Sequence, residues 1–118
     1  MSKKILLVDD DPELADGVGE ILRLYNYTVE MVNSAEDALQ LLNDYVPDLI
    51  VCDYHLDGMT GVAFADALQQ EERFAQIPFF LLTGMPRSDI QGNIAPERII
   101  KKPFEIEPFL DTILQELS

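Results

Sequence analysis

The chain is poor in cations. Its 118 residues hold 8 lysines and arginines against 22 aspartates and glutamates, a formal net charge of −14. That balance excludes a sequence-independent nucleic-acid binder, which needs a basic footprint to displace counterions from phosphates. It also argues against docking on anionic lipid. A site for a divalent cation stays open. Cysteine is nearly absent: Cys52 stands alone, so no disulfide can form within the chain. A reduced, cytoplasmic compartment is the expectation. No apolar segment reaches the length of a membrane span and no signal-peptide stretch is found, so no membrane contact is expected. Linkers, low-complexity tracts and internal repeats are missing as well. What is present is 47% hydrophobic and 25% charged, enough apolar material to offset the ordering entropy of one folded domain over residues 1–118.

The apolar residues fall into short continuous runs separated by helical periods. Ile5-Leu6-Leu7-Val8, Leu49-Ile50-Val51-Cys52 and Phe79-Phe80-Leu81-Leu82 have the continuity of strands buried on both faces, as in a parallel sheet. Thr28 to Val32 carries Glu30 at its centre and reads as an edge strand, and Ile99-Ile100 is a brief last one. Asp11 is placed to cap a helix beginning at Pro12, with Leu14, Val18, Ile21, Leu22 and Tyr25 on one face. Ser34 with Asp37 resembles a capping box for a second helix, with Ala38, Leu41, Leu42 and Tyr45 inward. A loop containing Gly58 and Gly61 leads into a third helix expected near residues 60 to 72, with Phe64, Ala65 and Leu68 inward. The closing helix carries Ile106, Phe109, Leu110, Ile113, Leu114 and Leu117 at helical spacing. Tyr25, Tyr27, Phe64 and Phe109 read as core or core margin. Between Gly84 and Glu97, Pro86, Gly92 and Pro96 allow only a short or irregular fourth helix. Five strands alternating with five helices predict an α/β fold, a flavodoxin-like doubly wound parallel sheet of order 2-1-3-4-5.

In such a sheet ligands bind outside the carboxyl ends of the strands. There the polar punctuation gathers: Asp9 and Asp10 after the first run, Asp53 after the third, Thr83 after the fourth and Lys102 after the fifth. Crowded carboxylates repel, and hard oxygen ligands of this kind suit Mg²⁺, which also keeps a position for a phosphate oxygen. A lysine and a hydroxyl would complete a clamp for a phosphoryl group, and a carboxylate can accept that group covalently. The plainer readings are a solvated acidic loop, a strand-end threonine and a surface lysine. Four strands placing such groups at one edge outweigh them. Asp11 keeps its plain reading as a cap, Cys52 as a small core residue and Glu71-Glu72-Arg73 as a solvated helix end. His55, the one histidine, makes no zinc site by itself.

Four motifs carry a resemblance over residues 4 to 117: Val8-Asp9-Asp10, Asp53 with Gly61 eight residues on, Leu82-Thr83-Gly84, and Lys102-Pro103-Phe104. In this order the chain resembles the receiver domain of bacterial two-component response regulators, of the chemotaxis-regulator kind. The resemblance implies that Asp53 is the phosphoacceptor, that Thr83 hydrogen-bonds the phosphoryl group and that Lys102 neutralises it. It implies Mg²⁺ held directly by Asp10 and Asp53, through water by Asp9, and by the backbone carbonyl of His55. It implies a cis Lys102–Pro103 bond. The expected donor is a sensor histidine kinase or a histidine phosphotransfer protein, and the expected state a monomer or weak phosphorylation-dependent dimer. The domain would catalyse its own phosphorylation and slow dephosphorylation and turn over no separate metabolite. No output segment is expected within these residues, whether the domain stands alone or belongs to a longer regulator or hybrid kinase.

The departures from the family pattern are specific. Asp57 stands where proline is usual and would add a carboxylate beside the site. Ile99 replaces the usual tyrosine or phenylalanine, so the aromatic half of the family's switch is missing. Thr83 to Lys102 is also shorter than usual, which bears on the dimerisation face that follows. These features favour an alternative, a receiver-like interaction module that works independently of phosphorylation. A haloacid-dehalogenase-like phosphatase fits less well, because His55 stands where its second aspartate belongs. A flavin carrier fits least, since the first strand–helix turn is acidic.

Overall fold

The computed structural model describes residues 2–90, 92 and 94–118. The three continuous apolar runs become β1 (Lys4–Val8), β3 (Leu49–Asp53) and β6 (Phe79–Thr83), the central strands of a parallel sheet ordered β2-β1-β3-β6-β7. The edges are β2 (Thr28–Val32), with Glu30 exposed, and β7 (Ile99–Lys101). A strand with a charge at its centre belongs where one side is solvated. In register Ile5 pairs with Val29 and with Leu49, Val51 with Phe80, and Leu82 with Ile100. This is the predicted order, 2-1-3-4-5 counted over the five strands of the main sheet.

Alternation along the strands divides the core in two. Ile5, Leu7, Leu49, Val51, Phe80 and Leu82 face α1 (Pro12–Leu24) and α4 (Ile106–Leu117), where Val18, Leu22, Phe109 and Ile113 are buried against them. Leu6, Val8, Ile50 and Cys52 face α2 (Ala35–Leu42) and α3 (Gly61–Gln69), meeting Ala38, Leu42, Phe64 and Leu68. Removing a side chain of this size from water stabilises by roughly 1.5–3 kcal/mol. Both predicted caps form: Asp11 Oδ1 accepts from the Glu13 amide at 3.1 Å, and Ser34 Oγ from the Asp37 amide at 3.1 Å.

Three expectations are corrected. Among the described residues there are four α-helices, not five. The β6–β7 crossover carries single 3₁₀ turns at Arg87–Asp89 and Pro96–Arg98, the short and irregular form expected there. Ile90 and Ile94 still pack inward, against Tyr54, Val62, Leu81 and Ile99. Tyr25 is 49% exposed: α1 ends at Leu24, and the chain turns away through Asn26 at φ 70°. Within the loop expected around Gly58, two segments pair as a short antiparallel hairpin, β4 (His55–Leu56) with β5 (Met59–Thr60). Among the described residues no helix is long and apolar enough to cross a membrane.

Candidate functional site

Chain order reverses at β1, so the carboxyl ends of β1 and β3 open a crevice at the switch point of the sheet. Asp9 and Asp10 follow β1, and Asp53 ends β3. One carboxylate oxygen from each lies within 4.8 Å of the other two. Asp9 and Asp53 are 2% and 7% exposed, while Asp10 faces solvent. Lys102, one residue beyond β7, brings Nζ to 3.0 Å from Asp53 Oδ1 and 3.7 Å from Asp9 Oδ2. Its backbone amide donates to the Thr83 carbonyl at 2.8 Å, which extends the β6–β7 ladder and aims the lysine back at the cluster. The Lys102–Pro103 bond is cis.

Thr83 is 1% exposed, and its Oγ1 accepts from the Met85 amide at 3.0 Å. The structure thus brings Asp9, Asp10, Asp53, Thr83 and Lys102 to one edge of the sheet. His55 begins the hairpin two residues after Asp53; its ring is exposed and stands edge-on to Tyr54 at 5.0 Å. Asp57 is different. It sits at the exposed hairpin turn, outside the three-carboxylate group.

Burial is the main cause that raises the Asp9 carboxyl above its ordinary range. The Asp11 amide, which donates to Asp9 Oδ1 at 2.9 Å, pulls the other way; Asp53 and Asp10 raise it, and Lys102 lowers it. Asp9 Oδ2 is buried and accepts no hydrogen bond from the described residues. An orphaned carboxylate oxygen, next to two more carboxylates, is a donor set that a small hard cation fits. Cys52 is held as a thiol, chiefly by burial and further by Asp53 and Asp9, and is a core residue.

Gly61 has a packing reason that its spacing from Asp53 only hinted at. Its amide donates to the Tyr54 carbonyl at 2.7 Å, and a Cβ there would overlap the Asp53 carbonyl oxygen and meet Leu81 Cδ1 at 2.7 Å. Only glycine lets α3 start this close to the strand that carries Asp53.

Fold and site together define a class, the CheY-like receiver fold with an acidic cluster at its switch point. Comparison with known proteins agrees. Residues 5–114 match the response regulator receiver domain, and the chain belongs to that family. It is 33% identical over 110 residues to the DNA-binding dual master transcriptional regulator RpaA of Synechocystis, covering 91% of this chain and 46% of that protein. To the regulatory protein VanR of Enterococcus faecium it is 35% identical over 107 residues, covering 88% and 45%. The chain thus spans about half the length of the curated relatives it matches. The signal receiver domain of a histidine kinase from Syntrophus aciditrophicus superposes with a TM-score of 0.87 at 26% identity, over 99% of this chain and 91% of that one. The chain is therefore a response regulator receiver domain of two-component signalling.

Proposed function

We propose that residues 1–118 act as one phosphoacceptor receiver domain and that Asp53 takes a phosphoryl group from a phosphohistidine on a sensor histidine kinase or histidine phosphotransfer protein. A carboxylate oxygen of Asp53 attacks phosphorus, the P–N bond breaks, and the leaving imidazole keeps the electron pair and takes up a proton. Water later cleaves the acyl phosphate and returns inorganic phosphate and the carboxylate. The contact that carries this reading is Lys102 Nζ at 3.0 Å from Asp53 Oδ1, a fixed cation beside the reacting oxygen. Thr83 stands at the adjacent strand end; its Oγ1 accepts from the Met85 amide, which leaves its O–H free to donate to the phosphoryl group. Asp10 and Asp53 directly, Asp9 through water and the His55 carbonyl would hold Mg²⁺, which supplies charge neutralisation at the phosphoryl oxygens.

The modified state would alter partner binding by shifting loop populations, and the domain would turn over no separate metabolite. We place it in the cytoplasm, as a monomer or weak phosphorylation-dependent dimer. The expectation of no nucleic-acid contact is confined to these residues, since the relative described as DNA-binding is about twice as long. Incubation with acetyl phosphate and Mg²⁺ followed by intact mass spectrometry tests the proposal. One added phosphoryl mass is expected in the wild type and none in Asp53→Asn or in EDTA. No gain, or an equal gain in Asp53→Asn, refutes it.

A second reading, a phosphorylation-independent interaction module, is favoured by Ile99 and by the crossover, whose described residues form 3₁₀ turns and no α-helix. Ile99 packs against the cluster of Tyr54, Val62 and Leu81, and its own side chain carries no ring to swing. Partner affinity that is equal with and without beryllium fluoride would support that reading over the first.

A further inference from the structure

Asp57 is the departure that the phosphoacceptor site does not absorb. It lies at the turn of the β4–β5 hairpin, which packs beside α2 and leaves a groove of about 540 Å³ between them. Two of the few exposed large apolar side chains among the described residues, Leu39 and Met59, each 37% exposed, line this groove with Ala35. Its charged lining is acidic throughout: Glu36 from α2, Asp57 from the hairpin and Glu71 from the segment after α3. The Arg73 guanidinium lies 3.9 Å from Glu71 and stacks over Phe74, beyond the lining residues. A larger groove between α1 and α2 is also acidic, with Asp16, Asp37 and Asp44, yet none of the exposed large apolar side chains lies in it.

We infer that the groove between α2 and the β4–β5 hairpin docks a lysine- or arginine-rich segment of a partner protein whose apolar side chains seat on Leu39 and Met59. The apolar floor and acidic rim come from three separate elements, so the complementarity is a property of the fold and not of one charged run. Bare acidity would draw cations anywhere on a chain of net charge −14. The apolar contacts are what select this place, since an apolar centre within a charged rim is the arrangement of protein interfaces. The inference does not depend on phosphorylation of Asp53.

The probe is a short fluorescein-labelled peptide of lysines interrupted by leucines, followed by fluorescence anisotropy and by ¹H–¹⁵N NMR on the whole chain. Chemical-shift changes are expected at Leu39, Asp57 and Met59. Neutralising the rim in Glu36→Gln/Asp57→Asn/Glu71→Gln should weaken binding roughly fivefold or more, as should replacing the floor in Leu39→Gln/Met59→Gln. The control Glu20→Gln/Glu107→Gln/Asp111→Asn removes as much charge from exposed positions on α1 and α4 and should change affinity by less than about twofold. All of these positions are solvent-facing, and circular dichroism checks that each variant folds. Three results overturn the inference: an equal loss in the control variant, wild-type affinity in either groove variant, or equal binding of a peptide with serine in place of leucine.

Discussion

Neutralising Asp9 should stabilise the protein when no divalent cation is present. Its carboxylate sits within 4.8 Å of one oxygen from Asp10 and one from Asp53, and 3.7 Å from Lys102 Nζ. At an effective dielectric of about 20, each repulsion costs about 3.5 kcal/mol and the attraction returns about 4.5. The balance is about 2.5 kcal/mol of net repulsion, to which the lost hydration of a buried charge adds and from which solvent screening at Asp10 subtracts. Asp9→Asn keeps the Oδ1 acceptor for the Asp11 amide and leaves Lys102 paired with Asp53. We expect a gain of about 1–3 kcal/mol in EDTA at about pH 7, or about 4–12 °C in Tm.

The pH dependence fixes the cause. Folding raises the Asp9 pKa above its ordinary 3.8, chiefly through burial, so the folded state binds more protons across that window. Wild-type stability then falls as pH rises through it, and the variant's advantage grows in parallel. Below that range Asp9 is protonated in both states and the advantage disappears. Urea denaturation from about pH 3.5 to about pH 7 follows the growth of that advantage. Added Mg²⁺ should narrow the difference at about pH 7 by stabilising the wild type more than the variant. A variant that is less stable than wild type in EDTA, or a gain that does not change with pH, would refute the electrostatic account.

Three further outcomes follow from the same geometry. Gly61→Ala should destabilise by about 1–3 kcal/mol in urea denaturation, because the new Cβ meets the Asp53 backbone, which cannot swing aside, as well as the Leu81 side chain. Tyr45→Phe should be neutral or stabilising by up to about 1 kcal/mol at neutral pH, since the hydroxyl is buried without a hydrogen bond from the described residues. Burial, with Glu30 and Asp48 adding to it, pushes that phenol up to about 12, so it stays neutral and the effect should not vary below about pH 9. Asp57→Pro should leave Mg²⁺ affinity, read by tryptophan-independent isothermal titration, within about twofold, because Asp57 stands outside the carboxylate group.

Much of the fold was legible because its physics is local. A run such as Leu49 to Cys52, apolar at every position, suits only a strand covered on both faces, and Glu30 marks an edge for the opposite reason. Asp11 and Ser34 cap their helices with their own side chains, so their roles follow from two or three neighbouring residues. The candidate site was legible for a related reason. Once the strands are aligned in parallel, every residue that follows a strand falls at the same edge, which gathers Asp9, Asp10, Asp53, Thr83 and Lys102 without further information. Tyr25 was misplaced because helical spacing continues past Leu24 on paper, whereas the turn at Asn26 ends it in space.

The sequence by itself determined the sheet order, the two-faced core and which side chains share the carboxyl edge, because periodicity and strand ends depend on the chain alone. Only the tertiary structure decided which oxygen Lys102 pairs with, that Asp9 is buried with an orphaned Oδ2 while Asp10 is not, and that Asp57 faces a groove beside α2 and not the acidic cluster. Those outcomes depend on distances of a few ångströms between segments tens of residues apart, such as Asp53 and Lys102. Spacing along a chain does not encode them until the core has packed.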